Sequence, residues 1–117
     1  VGSEMCIRDR FGITGLETSF GLANTYLVKP GHIDHARLAE LMAIRPRDIL
    51  RIPQVTLEAG SPADITVVDP DLVWTVEAQD MCSKSLNSPF IGYELTGKPT
   101  DVVCKGKLTL EAGNVCV

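Results

Sequence analysis

Apolar residues early in the chain recur at helical spacing: Leu16, Phe20, Ala23, Leu27 and Val28 fall along one face of a 3.6-residue period. The run opens on Thr14-Gly15-Leu16-Glu17. That is a capping-box pattern, in which the Thr14 hydroxyl accepts from the Glu17 amide while the Glu17 carboxylate returns to the Thr14 amide. Pro30-Gly31 closes the run with residues unfit to continue a helix. A first helix is therefore expected over about residues 15–28. Gly21 inside it lowers helix propensity by about 1 kcal/mol relative to alanine, which predicts another backbone packed close at that point.

Asp34 suits the N-cap of a second helix reaching about Ala43, with Ile33 and Leu38 spaced for a hydrophobic staple. Pro46 suits the first turn of a short third helix through Ile49 and Leu50, where its missing amide has no helical partner anyway. Beyond Gln54 the texture changes. Val55, Leu57, Ile65, Val67, Val68, Trp74 and Val76 lie in short β-rich runs separated by Gly60-Ser61-Pro62 and Asp69-Pro70-Asp71. Two more strands are expected near residues 98–104 and 107–111, joined by a tight turn at Lys105-Gly106. Helices followed by strands predict two structural units, with a boundary near residues 51–54.

The 117 residues carry 15 acidic and 11 basic side chains, a formal charge of −4, with no Lys/Arg block and no aromatic-basic interleaving. Nucleic acid is not an expected partner. Cys6, Cys82, Cys104 and Cys116 form no C-x-x-C pair, which points away from a zinc knuckle or a dense disulfide framework and toward a reducing, cytoplasmic setting. No apolar run reaches the roughly 20 residues needed to cross a bilayer, and the N-terminus lacks the apolar stretch of a secretory signal. No membrane role is expected.

Three blocks occur in order: Gly12-Ile13-Thr14-Gly15-Leu16-Glu17-Thr18, Gly60-Ser61-Pro62-Ala63-Asp64-Ile65-Thr66-Val67-Val68-Asp69, and Ser83-Lys84-Ser85-Leu86-Asn87-Ser88-Pro89-Phe90-Ile91-Gly92. Together they resemble the C-terminal end of the bacterial class I dihydroorotases, metal-dependent cyclic amidohydrolases, over about residues 11–113. Many amidohydrolases share the middle block as a G-x-x-A-D-hydrophobic strand. The first and third narrow the resemblance. Alternatives are allantoinase or dihydropyrimidinase, and a non-catalytic dihydroorotase homologue that supports aspartate carbamoyltransferase.

The resemblance implies an α/β fold: C-terminal helices of a (β/α)8 barrel over residues 11–53, then the C-terminal part of a small β-sandwich domain over residues 54–117. It implies a parent that interconverts N-carbamoyl-L-aspartate and L-dihydroorotate in pyrimidine synthesis. Zinc in such enzymes is held by a His-x-His pair, further histidines, an aspartate and often a carboxylated lysine, and lowers the pKa of bound water. None of those ligand motifs occurs in this sequence. A barrel takes about 250 residues. The expectation is thus a fragment with no metal ligand and no catalytic residue, inactive by itself. Its parent would bind a small-molecule substrate and form a homodimer, with aspartate carbamoyltransferase a candidate partner.

The site carried over from the family is the backbone of Phe11 and Gly12, matching a loop that touches substrate through main-chain groups. Glycine permits the close approach and unusual dihedrals such a contact needs. A purely structural role, shaping the loop before the helix, stands beside it. Residues 1–10, VGSEMCIRDR, match nothing in the family, where an Asp-His-Ala-type strand end is expected, and read as an artefactual leader.

Other side chains tempt a chemical reading. His32 and His35 form an H-x-x-H, but they flank the predicted Asp34 cap with no third ligand in view, and a metal role is not expected. Glu17 is expected to cap rather than catalyse. Asp64 is expected to bond local amides before its strand. The resemblance implies that the segment with Lys84, Asn87 and Tyr93 packs the β-domain against the barrel, a structural role, and Trp74 and Phe90 are expected to be core aromatics.

Overall fold

The computed structural model describes residues 12–115; residues 1–10, where an artefactual leader is expected, and Phe11 and Cys116 lie outside the described residues. Helix α1 occupies Ser19–Ala23 and continues through a wide π-type turn at Asn24–Val28, where the Lys29 amide reaches back to the Asn24 carbonyl at 3.0 Å. Gly31, at φ 88°, then turns the chain where the sequence predicts a stop. The helix start differs from expectation. Thr18 is the N-cap and makes no side-chain cap bond, so the Thr14–Glu17 capping box does not form. Leu16, expected on the buried face, precedes the helix and is 92% exposed.

Asp34 caps the next helix as predicted, its Oδ1 accepting from the Arg37 amide at 2.8 Å. Two helices were expected from here and one continuous helical stretch, α2, is found. His35–Ala39 passes through a second π-type turn, Glu40–Ile44, into Arg45–Leu50. A proline inside a helix removes one donor and crowds the carbonyl four residues back. The turn before Pro46 is widened, with the Arg45 amide bonded five residues back to the Glu40 carbonyl, and the helix continues through the proline.

Strands β1 (Ile65–Thr75), β2 (Glu94–Cys104), β3 (Lys107–Glu111) and β4 (Asn114–Val115) form one antiparallel sheet in the order β1-β2-β3-β4. The β2–β3 turn lies at Lys105-Gly106, with φ of 51° and 79°, the positive pair that the twist of a two-residue hairpin requires. Ala112-Gly113 repeats the device before β4, at φ 48° and 84°. The strand expected around Val55 and Leu57 is absent, and Leu57 is 86% exposed.

Asp69-Pro70-Asp71, expected to separate two strands, lies inside β1 as a bulge. Asp69 faces Lys98 and Val73 faces Thr96, so four steps along β1 oppose two along β2. Pro70 has no amide for the ladder, and a bulge is a place where that costs nothing.

Among the described residues Leu95, Val76 and Leu38 are the buried apolar ones, and α1 packs across β2. Gly21 sits where the sequence predicts a close backbone: a Cβ there would come within 3.1 Å of the Gly97 carbonyl oxygen. Trp74 and Phe90 are half-buried rather than fully enclosed. The Trp74 indole donates to the Gly97 carbonyl at 2.8 Å under the Lys98 ammonium, and Phe90 meets Tyr93 edge to face at 5.5 Å. The α/β class thus stands, with an antiparallel sheet. Among the described residues no helix is long and apolar enough to cross a membrane.

Candidate functional site

Between residue 12 and α1 the backbone forms no regular structure, so its polar groups must find partners elsewhere. Two of them, the Gly12 carbonyl and the Thr14 amide, find theirs in residues 82–88, which follow a short 3₁₀ turn at Ala78–Asp80. The Thr14 amide donates to the Asn87 carbonyl at 2.9 Å, and the Asn87 side-chain amide donates back to the Gly12 carbonyl. Nearer the helix, the Glu17 carboxylate accepts from the Cys82 amide at 3.0 Å, the Ser83 amide at 3.0 Å and the Ser83 hydroxyl at 2.8 Å. Two points, one at each end, therefore fasten the segment.

This arrangement explains the lost capping box. Two consecutive backbone amides and a hydroxyl form a fuller donor set for a carboxylate than the single Thr14 amide, which Asn87 has already taken. The Thr14 hydroxyl is left buried without a partner among the described residues. Burial raises the Glu17 pKa, but hydrogen bonds from the Cys82 amide, the Ser83 hydroxyl and the Ser83 amide outweigh it and hold the carboxyl below its ordinary 4.5.

Gly12 is exposed, and a Cβ built on it would meet nothing within 4 Å among the described residues. Gly15, half-buried, likewise has nothing within 4 Å of a built Cβ among the described residues and is not at positive φ, so neither unusual dihedrals nor crowding there explains it. Sequence reasoning gave Asn87 a packing role and missed its grip on the Gly12 loop. Its only signal was membership of the third block.

His35 is engaged by the core. The Asn24 side-chain amide donates to the Pro70 carbonyl at 2.9 Å and the Thr96 carbonyl at 2.7 Å, leaving its oxygen to accept from His35 Nε2 at 3.1 Å. Among the described residues no three His, Cys, Asp or Glu side chains come together to hold a metal ion. The donors among the described residues do not fit a zinc centre. Asp64 does not bond its neighbours as expected; its carboxylate accepts from the Lys105 amide at 2.8 Å and so pins the β2–β3 turn. An apolar cleft of about 630 Å³ opens between α2 and the sheet, lined by Phe20, Leu38, Met42, Val68 and Pro99.

No protein-family model matches the chain. It is 46% identical over 107 residues to a dihydroorotase of Elusimicrobium minutum, which covers 92% of this chain and 25% of that protein. It is 45% identical over 97 residues to a dihydroorotase of Geotalea daltonii, covering 83% of this chain and 23% of that one. Among solved structures, L-hydantoinase (dihydropyrimidinase) from Arthrobacter aurescens is similar at a TM-score of 0.82 and 35% identity, over 91% of this chain and 24% of its own. The chain spans about a quarter of the length of the curated relatives it matches.

Proposed function

By sequence the chain belongs to the dihydroorotase family, and we propose that it is a supporting, substrate-facing part of a parent enzyme that reversibly hydrolyses L-dihydroorotate to N-carbamoyl-L-aspartate. The observation that carries this reading is the double fastening of the Gly12 segment to residues 82–88. A short segment that forms no helix or strand is held by amide and hydroxyl donors some seventy residues away, which grip its Glu17 carboxylate and its Gly12 carbonyl, and a Cβ on Gly12 would meet nothing within 4 Å among the described residues. Such a rigid, main-chain-lined edge suits a flat, polar heterocycle.

The part of the chain in the reaction is binding and orientation. Phe11 and Gly12 present main-chain groups to the ring, and residues 82–88 keep them in place. The zinc of the proposed parent finds no ligand set among the described residues. The same reading makes the parent a cytoplasmic homodimer of pyrimidine biosynthesis, with aspartate carbamoyltransferase as a candidate partner.

The likeness to an L-hydantoinase supports a second reading, a parent acting on hydantoin or dihydropyrimidine rings. Both hydrolyse a cyclic amide. The identity of 45–46% to dihydroorotases against 35% to the hydantoinase favours the first. The test is to express the full-length gene and assay L-dihydroorotate, hydantoin, dihydrouracil and allantoin side by side. Turnover of L-dihydroorotate above the others is expected; a preference for any other ring would replace the proposal. The 117-residue chain alone, given zinc, is expected to show no turnover above buffer.

A further inference from the structure

We infer that Asn87 is a positioning residue that locks the Gly12–Ile13 peptide so that its N–H, carried by Ile13, faces a bound ring as a hydrogen-bond donor. The inference rests on the dihydroorotase reading and names the group that would touch the substrate.

The geometry follows from peptide planarity. In a trans peptide the carbonyl and the N–H point in opposite directions. The Gly12 carbonyl is directed at the Asn87 side chain, so the Ile13 N–H is directed away from residues 82–88. One residue on, the Thr14 amide turns back and donates to the Asn87 carbonyl at 2.9 Å. Asn87 thus grips the chain on both sides of Ile13, and the Ile13 amide has no partner among the described residues.

Asn87 is itself braced. Its own amide donates to the Ser85 hydroxyl at 3.2 Å, and the next amide, on Ser88, donates to the Leu86 carbonyl at 2.8 Å. The far end of the same loop is held by Glu17. A donor fixed in this way complements an oxygen, either a ring carbonyl or a carboxylate, and its contribution comes from orientation already settled before the ligand arrives.

The test uses the full-length parent and two readouts. In Asn87→Asp the side chain keeps its size but loses its donor and sets oxygen against the Gly12 carbonyl. Loss of one well-placed hydrogen bond predicts a KM for L-dihydroorotate raised about tenfold, with a smaller change in kcat. Asn87→Gln, which retains the amide, should recover part of that loss. An unchanged KM in a folded Asn87→Asp enzyme overturns the inference. Should that variant not fold, hydrogen exchange on the wild-type parent decides: saturating L-dihydroorotate is expected to slow exchange at the Ile13 amide, and unaltered exchange there sinks the proposal. If the parent processes a different ring, that ring replaces L-dihydroorotate in both measurements. The dihydroorotase reading then fails, while the Ile13 donor stands or falls on the same exchange result.

Discussion

Asn24 and Gly97 interlock: a methyl group on Gly97 would sit 2.5 Å from the Asn24 side-chain nitrogen. The β1 bulge and the bare Gly97 together form the notch into which α1 inserts this one polar side chain. Gly97 also stands at φ 106°, which an L side chain rarely adopts.

Gly97→Ala should therefore be among the most damaging single-methyl changes in the sheet. Overpacking and backbone strain combine, and a loss of about 3 kcal/mol is expected. The readout is a urea midpoint shifted down at unchanged slope. A midpoint within error of wild type would show that the helix can lift off the sheet at little cost.

Asn24→Leu probes the other half of the notch. The residue is fully buried, and its amide satisfies the Pro70 carbonyl, the Thr96 carbonyl and His35. Thr96 retains the Thr25 hydroxyl, but Pro70 loses its side-chain donor. Leaving the part-buried Pro70 carbonyl without its side-chain donor predicts a cost of about 1–3 kcal/mol. Thermal unfolding checks it, and a melting temperature equal to wild type would contradict the assigned network.

What the sequence revealed and what it hid divide along the range of the interactions. Asp34, Pro30-Gly31 and Lys105-Gly106 act on their own neighbours, and each does what its local chemistry predicts. Gly21 was legible because a glycine inside a helix needs a packing reason, and the reason is Gly97. Glu17 and Asp64 were misjudged for one cause: both have plausible local partners but bond amides 65 and 41 residues away. Asp69-Pro70-Asp71 reads as a chain break until β2 supplies a strand for the bulge to oppose. In the candidate site the Gly12 loop was visible as a motif. Asn87, whose role exists only once the two loops meet, was not.

Glu17→Gln tests the fastening through pH. The Glu17 carboxyl is held below its ordinary 4.5 in the folded protein, because the donors on residues 82 and 83 outweigh the effect of burial. A depressed folded pKa contributes stability that is present above the unfolded value and is lost as pH falls through the folded one. Wild type is therefore expected to lose stability on acidification below about pH 4.5, and Glu17→Gln to lose less over that window while being weaker at pH 7. Parallel pH profiles for the two proteins would exclude Glu17 as the source.

The outer edge of β1 is where self-association of the chain is expected. This strand pairs with β2 on one side, and no other described strand pairs with it. It presents Val67 at 49% and Val73 at 56% exposure on either side of the Asp69-Pro70-Asp71 bulge. Long apolar edges recruit other chains, and lysine is a common means of blunting them. Val67→Lys places its ammonium opposite Asp101, its register partner on β2, so the substitution adds a cross-strand pair while charging the edge. Combined with Val73→Lys it should lower light scattering and raise the monomer fraction of the 117-residue chain at equal concentration. If scattering is unchanged, the association runs through another surface, of which exposed Ile49 and Leu50 at the end of α2 are the first to charge.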